Sequence, residues 1–268
     1  MNRDLKIAKK TIQAGIKALK KLSNSLNYSS QFSKAVNLCS KANKIGIIGI
    51  GKSKDISLYI GNLFSSLNIP AVGFAVQDLS HGGLGFFSKG DDGLLSGIIK
   101  TLEEEEGFKV VGVDSILSEL IAGPGILGAH FPSNDHELDI IRGIDVLYRI
   151  GSLDIGQSVV ISQEVVLAVE AAEGTEEMLI RCKSISNGGN GGVLIKLPKP
   201  GQEKRVDMPA IGPRTVQKAK ESGLSGIAIA ANLTLVIEAE KTIELANKEG
   251  LFIIGLNPND YKADYVID

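Results

Sequence analysis

The sequence predicts an α/β protein, and three observations carry that expectation. Residues 44–76 read strand, glycine-rich turn, helix, proline-marked turn, strand, which is a βαβ unit. Beyond residue 90, short apolar runs alternate with amphipathic stretches that bring their own start and stop signals. The chain has 268 residues, 43% hydrophobic and 22% charged, long enough to bury a core and too apolar for a disordered or collagen-like chain.

In chain order, residues 4–22 place Leu5, Ala8, Ile12, Ile16 and Leu19 at spacings of three and four, an amphipathic helix with lysines opposite. A second helix is expected around 30–42. Few aromatics accompany the lysines, so there is no base-stacking surface and no nucleic-acid partner is expected. The βαβ unit follows, and parallel strands place their functional edge at the strand C-termini. DDGLLSGIIKTLEEEEGFKVVGVDSI then predicts an acidic helix stopped by Gly107, followed by a strand. Further helices are expected at 137–150, after a Thr175 cap, over GPRTVQKAKESG up to Gly223, and at 239–249. Residues 154–169 form a hairpin-like pair, and SISNGGNGG is a loop before the strand VLIKL.

The N-terminus, MNRDLKIAKK, has no apolar signal core behind its charges, and no apolar run approaches the ~18 to 20 residues of a membrane span. Two cysteines, Cys39 and Cys182, supply neither a disulfide framework nor a zinc site. These features predict a cytoplasmic protein. The net charge of −2 hides an asymmetry: residues 1–54 hold 12 Lys and Arg against the single acid Asp4, leaving 17 bases and 30 acids beyond.

Gly46 to Ser53 satisfies G-x-x-x-x-G-K-S, the phosphate-cradling pattern, but its internal residues Ile47, Ile48, Gly49 and Ile50 continue an apolar strand instead of a loop. A nucleotide triphosphatase is therefore not the reading. IGIIGIGKSKDIS, LFSSLNIPA and DLSHGGLGFFSKGDD resemble the start of the sugar isomerase (SIS) domain of arabinose-5-phosphate isomerases. On that resemblance residues 1–90 are a truncated SIS-like βαβ segment, with Lys52, Ser53, Ser65 and His81 falling on family site positions. Lys54, Asp78 and Gly83 depart from the family pattern, and no second phosphosugar loop follows.

Four short segments after residue 150 concentrate acids, amides and bases beside glycines: 154–157, 170–175, 196–209 and 211–215. In Gln202–Asp207, alternation along an extended strand would put Glu203, Arg205 and Asp207 on one face. Two carboxylates flanking an arginine suit a phosphate ester, the acids holding Mg²⁺ or orienting water and the guanidinium meeting phosphate oxygens. Thr175 at a helix N-terminus adds an anion-favouring dipole end beside Glu170 and Glu173. His130, His136 and Cys182 have no metal-ligand spacing and read as structural.

LDIGQSVV, EAAEGTEEM, KLPKPGQEKRVDMPAIGPRTV and the terminal GLFIIG resemble UDP-2,3-diacylglucosamine pyrophosphatases of the LpxI type. The resemblance runs over residues 91–268 and implies a mixed α/β domain joined to the SIS-like segment. It implies Mg²⁺-dependent hydrolysis of UDP-2,3-diacylglucosamine to UMP and 2,3-diacylglucosamine 1-phosphate, a step of lipid A synthesis. Catalysis then falls to Asp207, Glu203 and Arg205. Substrate binding falls to Lys196, Lys199, Gln202, Gly174, Thr175 and Gln157, with the Gly188–Gly192 loop as a further contact, and the metal to Asp207, Glu173 and Glu170. Glu203 stands where the family pattern has Asp. The partners expected are a lipid-linked UDP-sugar, the inner-membrane surface in transient contact, and a second copy in a homodimer. Two alternatives stay open: a sugar-phosphate aldose–ketose isomerase using Lys52 and His81, and a fusion of both halves without turnover.

Overall fold

The computed structural model describes residues 13, 16, 20, 30–49, 53–75, 91–105, 107–185 and 191–261, over which the elements below are numbered. The chain divides into two compact units, residues 1–76 and 77–268. The expected helix at 4–22 falls outside the described residues except at Gln13, Ile16 and Lys20, which are helical.

In the first unit α1 (Ser30–Lys41) precedes β1 (Ile45–Gly49), α2 (Ser53–Ser66) and β2 (Ala71–Ala75). The two strands pair in parallel with Ile45 opposite Ala71 and Gly49 opposite Ala75, so the predicted crossover forms. Helix and strand touch backbone to backbone: a Cβ on Gly61 would stand 2.2 Å from the Gly73 nitrogen. Ile47 to Gly49 lie in β1, consistent with a strand in place of a phosphate loop.

The second unit opens with α3 (Asp91–Glu104) and the short α4 (Val113–Ile116). The strand expected after Gly107 does not form. Gly107 turns the chain at φ +68. The Phe108 N–H then returns to the Leu102 carbonyl at 2.8 Å and the Val110 N–H to the Glu103 carboxylate at 3.2 Å, so these donors are satisfied by the helix end instead of a sheet.

The remaining elements are β3 (Gly125–Ile126), α5 (Asn134–Gly151), β4 (Ser158–Ser162), β5 (Val165–Val169), α6 (Thr175–Ile185), β6 (Val193–Lys196), β7 (Ala210–Ile211), α7 (Pro213–Glu221), β8 (Gly226–Ala230), β9 (Leu235–Val236), α8 (Ala239–Glu249) and β10 (Phe252–Leu256). Six strands form one mixed sheet in the order β3-β10-β8-β6-β4-β5, and β7 pairs with β9 separately. β6, β8 and β10 run parallel, and β5 shares their direction because it is antiparallel to β4, itself antiparallel to β6. The predicted hairpin is β4–β5, with a register shift between Val160 and Ile161.

The core lies on both faces of this sheet. Leu194, Ile227, Ile229 and Ile253 pack with residues of α6, α7 and α8 such as Leu179, Val216 and Ala246. Val193, Ile195, Ala228 and Phe252 pack on the opposite face with Ile140, Ile144 and Leu147 of α5. Burial on both faces explains why VLIK, GIAIA and FIIGL show no apolar–polar alternation. α5 begins in a capping box: Ser133 N–H donates to His136 Nδ1 at 3.1 Å, and His136 N–H returns to Ser133 Oγ at 3.4 Å. The proton therefore sits on Nε2, which donates to the Gly191 carbonyl at 3.0 Å. His136 is thus occupied by folding contacts, as expected. Among the described residues no helix is long and apolar enough to cross a membrane.

Gly226 faces Phe252 across the sheet, and a Cβ there would lie 2.4 Å from three ring carbons that are buried and hemmed in by the His136 ring. Gly226→Ala should cost about 1–3 kcal/mol in urea denaturation, as overpacking a rigid core does. Gly97→Ala, in α3 with nothing within 4 Å of the added carbon, should instead raise stability by roughly 0.5–1 kcal/mol.

Candidate functional site

β5, β6 and β8 end, and α6, α7 and α8 begin, at one edge of the sheet, where open α/β folds gather ligands. Lys196 is the last residue of β6 and is only 5% exposed. Its ammonium donates to Thr175 Oγ1 at 2.6 Å, and that hydroxyl donates to Glu170 Oε1 at 2.9 Å. Ser158 Oγ stands 3.3 Å from the same hydroxyl, and the Gln157 N–H donates to Glu170 Oε2 at 3.4 Å. Burial pushes the Lys196 pKa below the ordinary lysine value, while Glu170 and Asp207 pull it back up. The buried Gln157 Oε1 meets no donor among the described residues.

The backbone is shaped around this group. Gly156 sits at φ +55, and a Cβ there would fall 2.0 Å from the Glu170 carbonyl oxygen, so only glycine lets the 154–157 loop close on Glu170. Gly174, at φ +81, offers its carbonyl to the Met178 N–H at 3.1 Å. It therefore stands at the cap of α6. This corrects the expectation that Thr175 caps the helix: the Thr175 hydroxyl is spent on Glu170 and Lys196 instead.

Residues 202–207 carry a second correction. They are not an extended strand. The Val206 and Asp207 N–H groups both return to the Glu203 carbonyl, at 3.2 and 3.1 Å, folding the segment into a turn after Pro200 and Gly201. The alternation that would put Glu203, Arg205 and Asp207 on one face is lost. Asp207 instead accepts from Gln202 Nε2, while Gln202 Oε1 accepts from the Lys199 N–H at 2.8 Å. The Lys199 ammonium pairs with Asp154, which sits in the left-handed region at φ +58. Asp207 lies within electrostatic reach of Lys196, so this second cluster adjoins the first.

Arg205 forms a third cluster. Nε and Nη2 grip both oxygens of Glu203 at 2.9 and 2.8 Å, and Nη1 reaches Glu103 at 2.8 Å. The guanidinium's hydrogen bonds hold the Glu203 and Glu103 carboxyls below the usual range, and the two carboxylates push Arg205 upward. Glu173 stands apart, lowered by its own backbone N–H and by Arg181 at 2.7 Å. Among the described residues no three His, Cys, Asp or Glu come together as a metal site, so Glu170, Glu173 and Asp207 do not form one preformed cage.

Of the other expected residues, Lys52, His81 and most of the Gly188–Gly192 loop lie outside the described residues. Ser53 opens α2, and Ser65 donates to the Ala71 carbonyl at 2.6 Å. Cys182 is buried with its thiol pKa raised by burial, and His130 Nε2 lies 3.0 Å from the Asn247 carbonyl. Sequence reasoning missed Ser158, hidden in an apolar strand, and Glu103, one acid in a run of four.

The Arg205 cluster sets a pH test. Both carboxyls are depressed below 4.5 in the folded state, so their contribution is present above 4.5 and is lost as pH falls through the depressed values. Arg205→Gln should lower the melting temperature at pH 7, and the gap to the parent should shrink in melts taken progressively below pH 4.5. A gap that persists undiminished in acid would contradict this.

Comparison with known proteins finds likenesses for the C-terminal part of the chain, where the first two of these clusters lie. Residues 123–254, which contain the Lys196 and Asp207 clusters, match the family model described as the LpxI C-terminal domain. Over 178 residues the chain is 42% identical to the UDP-2,3-diacylglucosamine pyrophosphatase LpxI of Caulobacter vibrioides, covering 64% of this chain and 63% of that protein. The chain thus spans less than two thirds of the length of the curated relative it matches. The sugar-isomerase resemblance of residues 1–90 rests on its motifs alone, whereas that of the C-terminal region to LpxI is a measured match.

Proposed function

We propose that this chain hydrolyses the diphosphate of UDP-2,3-diacylglucosamine to UMP and 2,3-diacylglucosamine 1-phosphate, with residues 91–268 as the hydrolase domain. The observation that carries the reading is the buried Lys196–Thr175–Glu170 group at the carboxyl edge of the sheet, inside the residues that match the LpxI C-terminal domain. The enzyme would work in the cytoplasm against the inner-membrane surface, as a homodimer.

The reaction adds water across a P–O bond of the diphosphate: oxygen joins one phosphorus, the bridging oxygen leaves with the other, and a proton must leave the water. Developing negative charge on the bridging oxygen is the main electrostatic problem. Lys196 and Lys199 supply fixed positive charge there, and the first-turn amides of α6 after Gly174 add an anion-favouring end. Thr175 and Glu170 hold the Lys196 ammonium in one direction. Gln202 holds the Asp207 carboxylate, the group placed to orient water or accept its proton. Gln157 Oε1, buried with no donor among the described residues, is suited to accept from a sugar hydroxyl.

The donor set also fits Mg²⁺ arriving with the substrate, since that ion is held by one or two carboxylates plus phosphate oxygens more often than by an all-protein cage. Asp207 would hold it together with Glu170, the other acid that acts on Lys196. Bound there, Mg²⁺ would neutralise charge on the diphosphate oxygens.

The deciding experiment is UMP release from UDP-2,3-diacylglucosamine with and without Mg²⁺. The parent should release UMP, EDTA should suppress it, and Asp207→Asn should lower kcat about 10²–10³-fold while the variant stays folded by circular dichroism. No UMP from the parent, alongside an active LpxI control, would end this reading. The rate should also fall on the alkaline side at a pH below the ordinary lysine value of 10.5, because burial releases the Lys196 proton early. Glu170→Gln removes the larger upward pull and should move that limb to still lower pH.

A further inference from the structure

We propose that Glu103 is a positioning residue for the reaction, acting through Arg205 to fix the 202–207 turn that presents Asp207. The assignment rests on the hydrolase reading for its activity readout, although the geometry stands by itself.

Glu103 lies in the last turn of α3, as does Glu104, and no base accompanies them. Acids there oppose the helix dipole, so local helix physics disfavours the placement. The compensation comes from far along the chain. Glu103 Oε1 accepts Arg205 Nη1 at 2.8 Å across a separation of 102 residues, and it accepts the Val110 N–H at 3.2 Å. The backbone beyond Val110 then runs against Arg205: a Cβ on Gly112 would stand 3.0 Å from the Arg205 Cα. The end of α3, the 107–112 segment and the 202–207 turn thus meet at one guanidinium.

Arg205 spends Nε and Nη2 on Glu203 and Nη1 on Glu103, so each nitrogen of its fork already faces a carboxylate. That arrangement makes it a strut where the sequence suggested a phosphate ligand. Glu203 belongs to the same turn, and its carbonyl receives the Val206 and Asp207 N–H groups. Bidentate pairing of Arg205 to Glu203 shapes the turn from within, and Glu103 ties it to the body of the unit. Asp207 is two residues from the strut. Small displacements of a reacting group are costly, an ångström amounting to as much as about 10²-fold in rate.

The test uses the full-length protein with Glu103→Gln, Glu103→Asp, Arg205→Lys and the double variant Glu103→Gln/Arg205→Lys. Hydrogen–deuterium exchange needs no substrate: amides of Val206 and Asp207 should exchange faster in Glu103→Gln while β6 and β8 keep parent protection. In UMP release, kcat should fall about 10-fold with KM within twofold. Glu103→Asp should recover part of that loss. The double variant should be no slower than Arg205→Lys alone, because both changes break one strut. Unchanged exchange at 206–207 overturns the proposal whatever the chain hydrolyses. A parent that turns over, with Glu103→Gln less stable but equal in kcat, overturns it too. A parent without UMP release but with the exchange change sinks the hydrolase reading and leaves the strut standing.

Discussion

A lysine ammonium buried at the end of a sheet strand is the constraint around which this site is organised. Removing an ion from water costs several kcal/mol after relaxation, and only close, oriented partners offset it. Lys196 reaches Thr175 directly and Glu170 through it, with Asp207 adding electrostatic attraction. Each partner imposes its own demand. Glu170 needs the 154–157 loop pressed against it, hence glycine at 156. Thr175 must open α6 and not cap it, hence a left-handed glycine at 174.

Strand direction explains why these demands are met in one place. β5, β6 and β8 finish on the same edge, and the helices that return the chain all start there. Glu170 and Thr175 arrive from the β5–α6 connection, and Lys196 and Asp207 from the end of β6 and the segment that follows it. Under the proposed hydrolysis this cluster would set cations against the substrate's phosphates and a carboxylate toward water or a metal. The Arg205 cluster sits beside it with a different character, an arginine closed between two carboxylates.

Much of the fold was legible in the residues. The βαβ unit, the hairpin, the helix expected at 137–150 and found over Asn134–Gly151, the helix at 239–249 and the strand VLIK follow from periodicity, caps and glycines, because those signals act within a few residues. The errors have one cause. FKVVGV has strand composition, yet after the Gly107 turn the Leu102 carbonyl and the Glu103 carboxylate claim two of its donors. QEKRVD alternates as a strand would, yet its own backbone folds into a turn on the Glu203 carbonyl. In both, a hydrogen bond overrode a weak propensity.

By itself, the sequence determined most of the element types, the α/β class and the short list of chemically able residues between 154 and 207. Only the tertiary structure decided which of them meet. Lys196 takes Thr175 across 21 residues, Lys199 takes Asp154 across 45, and Arg205 takes Glu103 across 102. Local pattern carries no information about such pairs. The Lys196 and Lys199 pairs are selected when the sheet closes, because burial makes an unpartnered charge too costly to keep, whereas the half-exposed Arg205–Glu103 pair is brought together by the chain path alone.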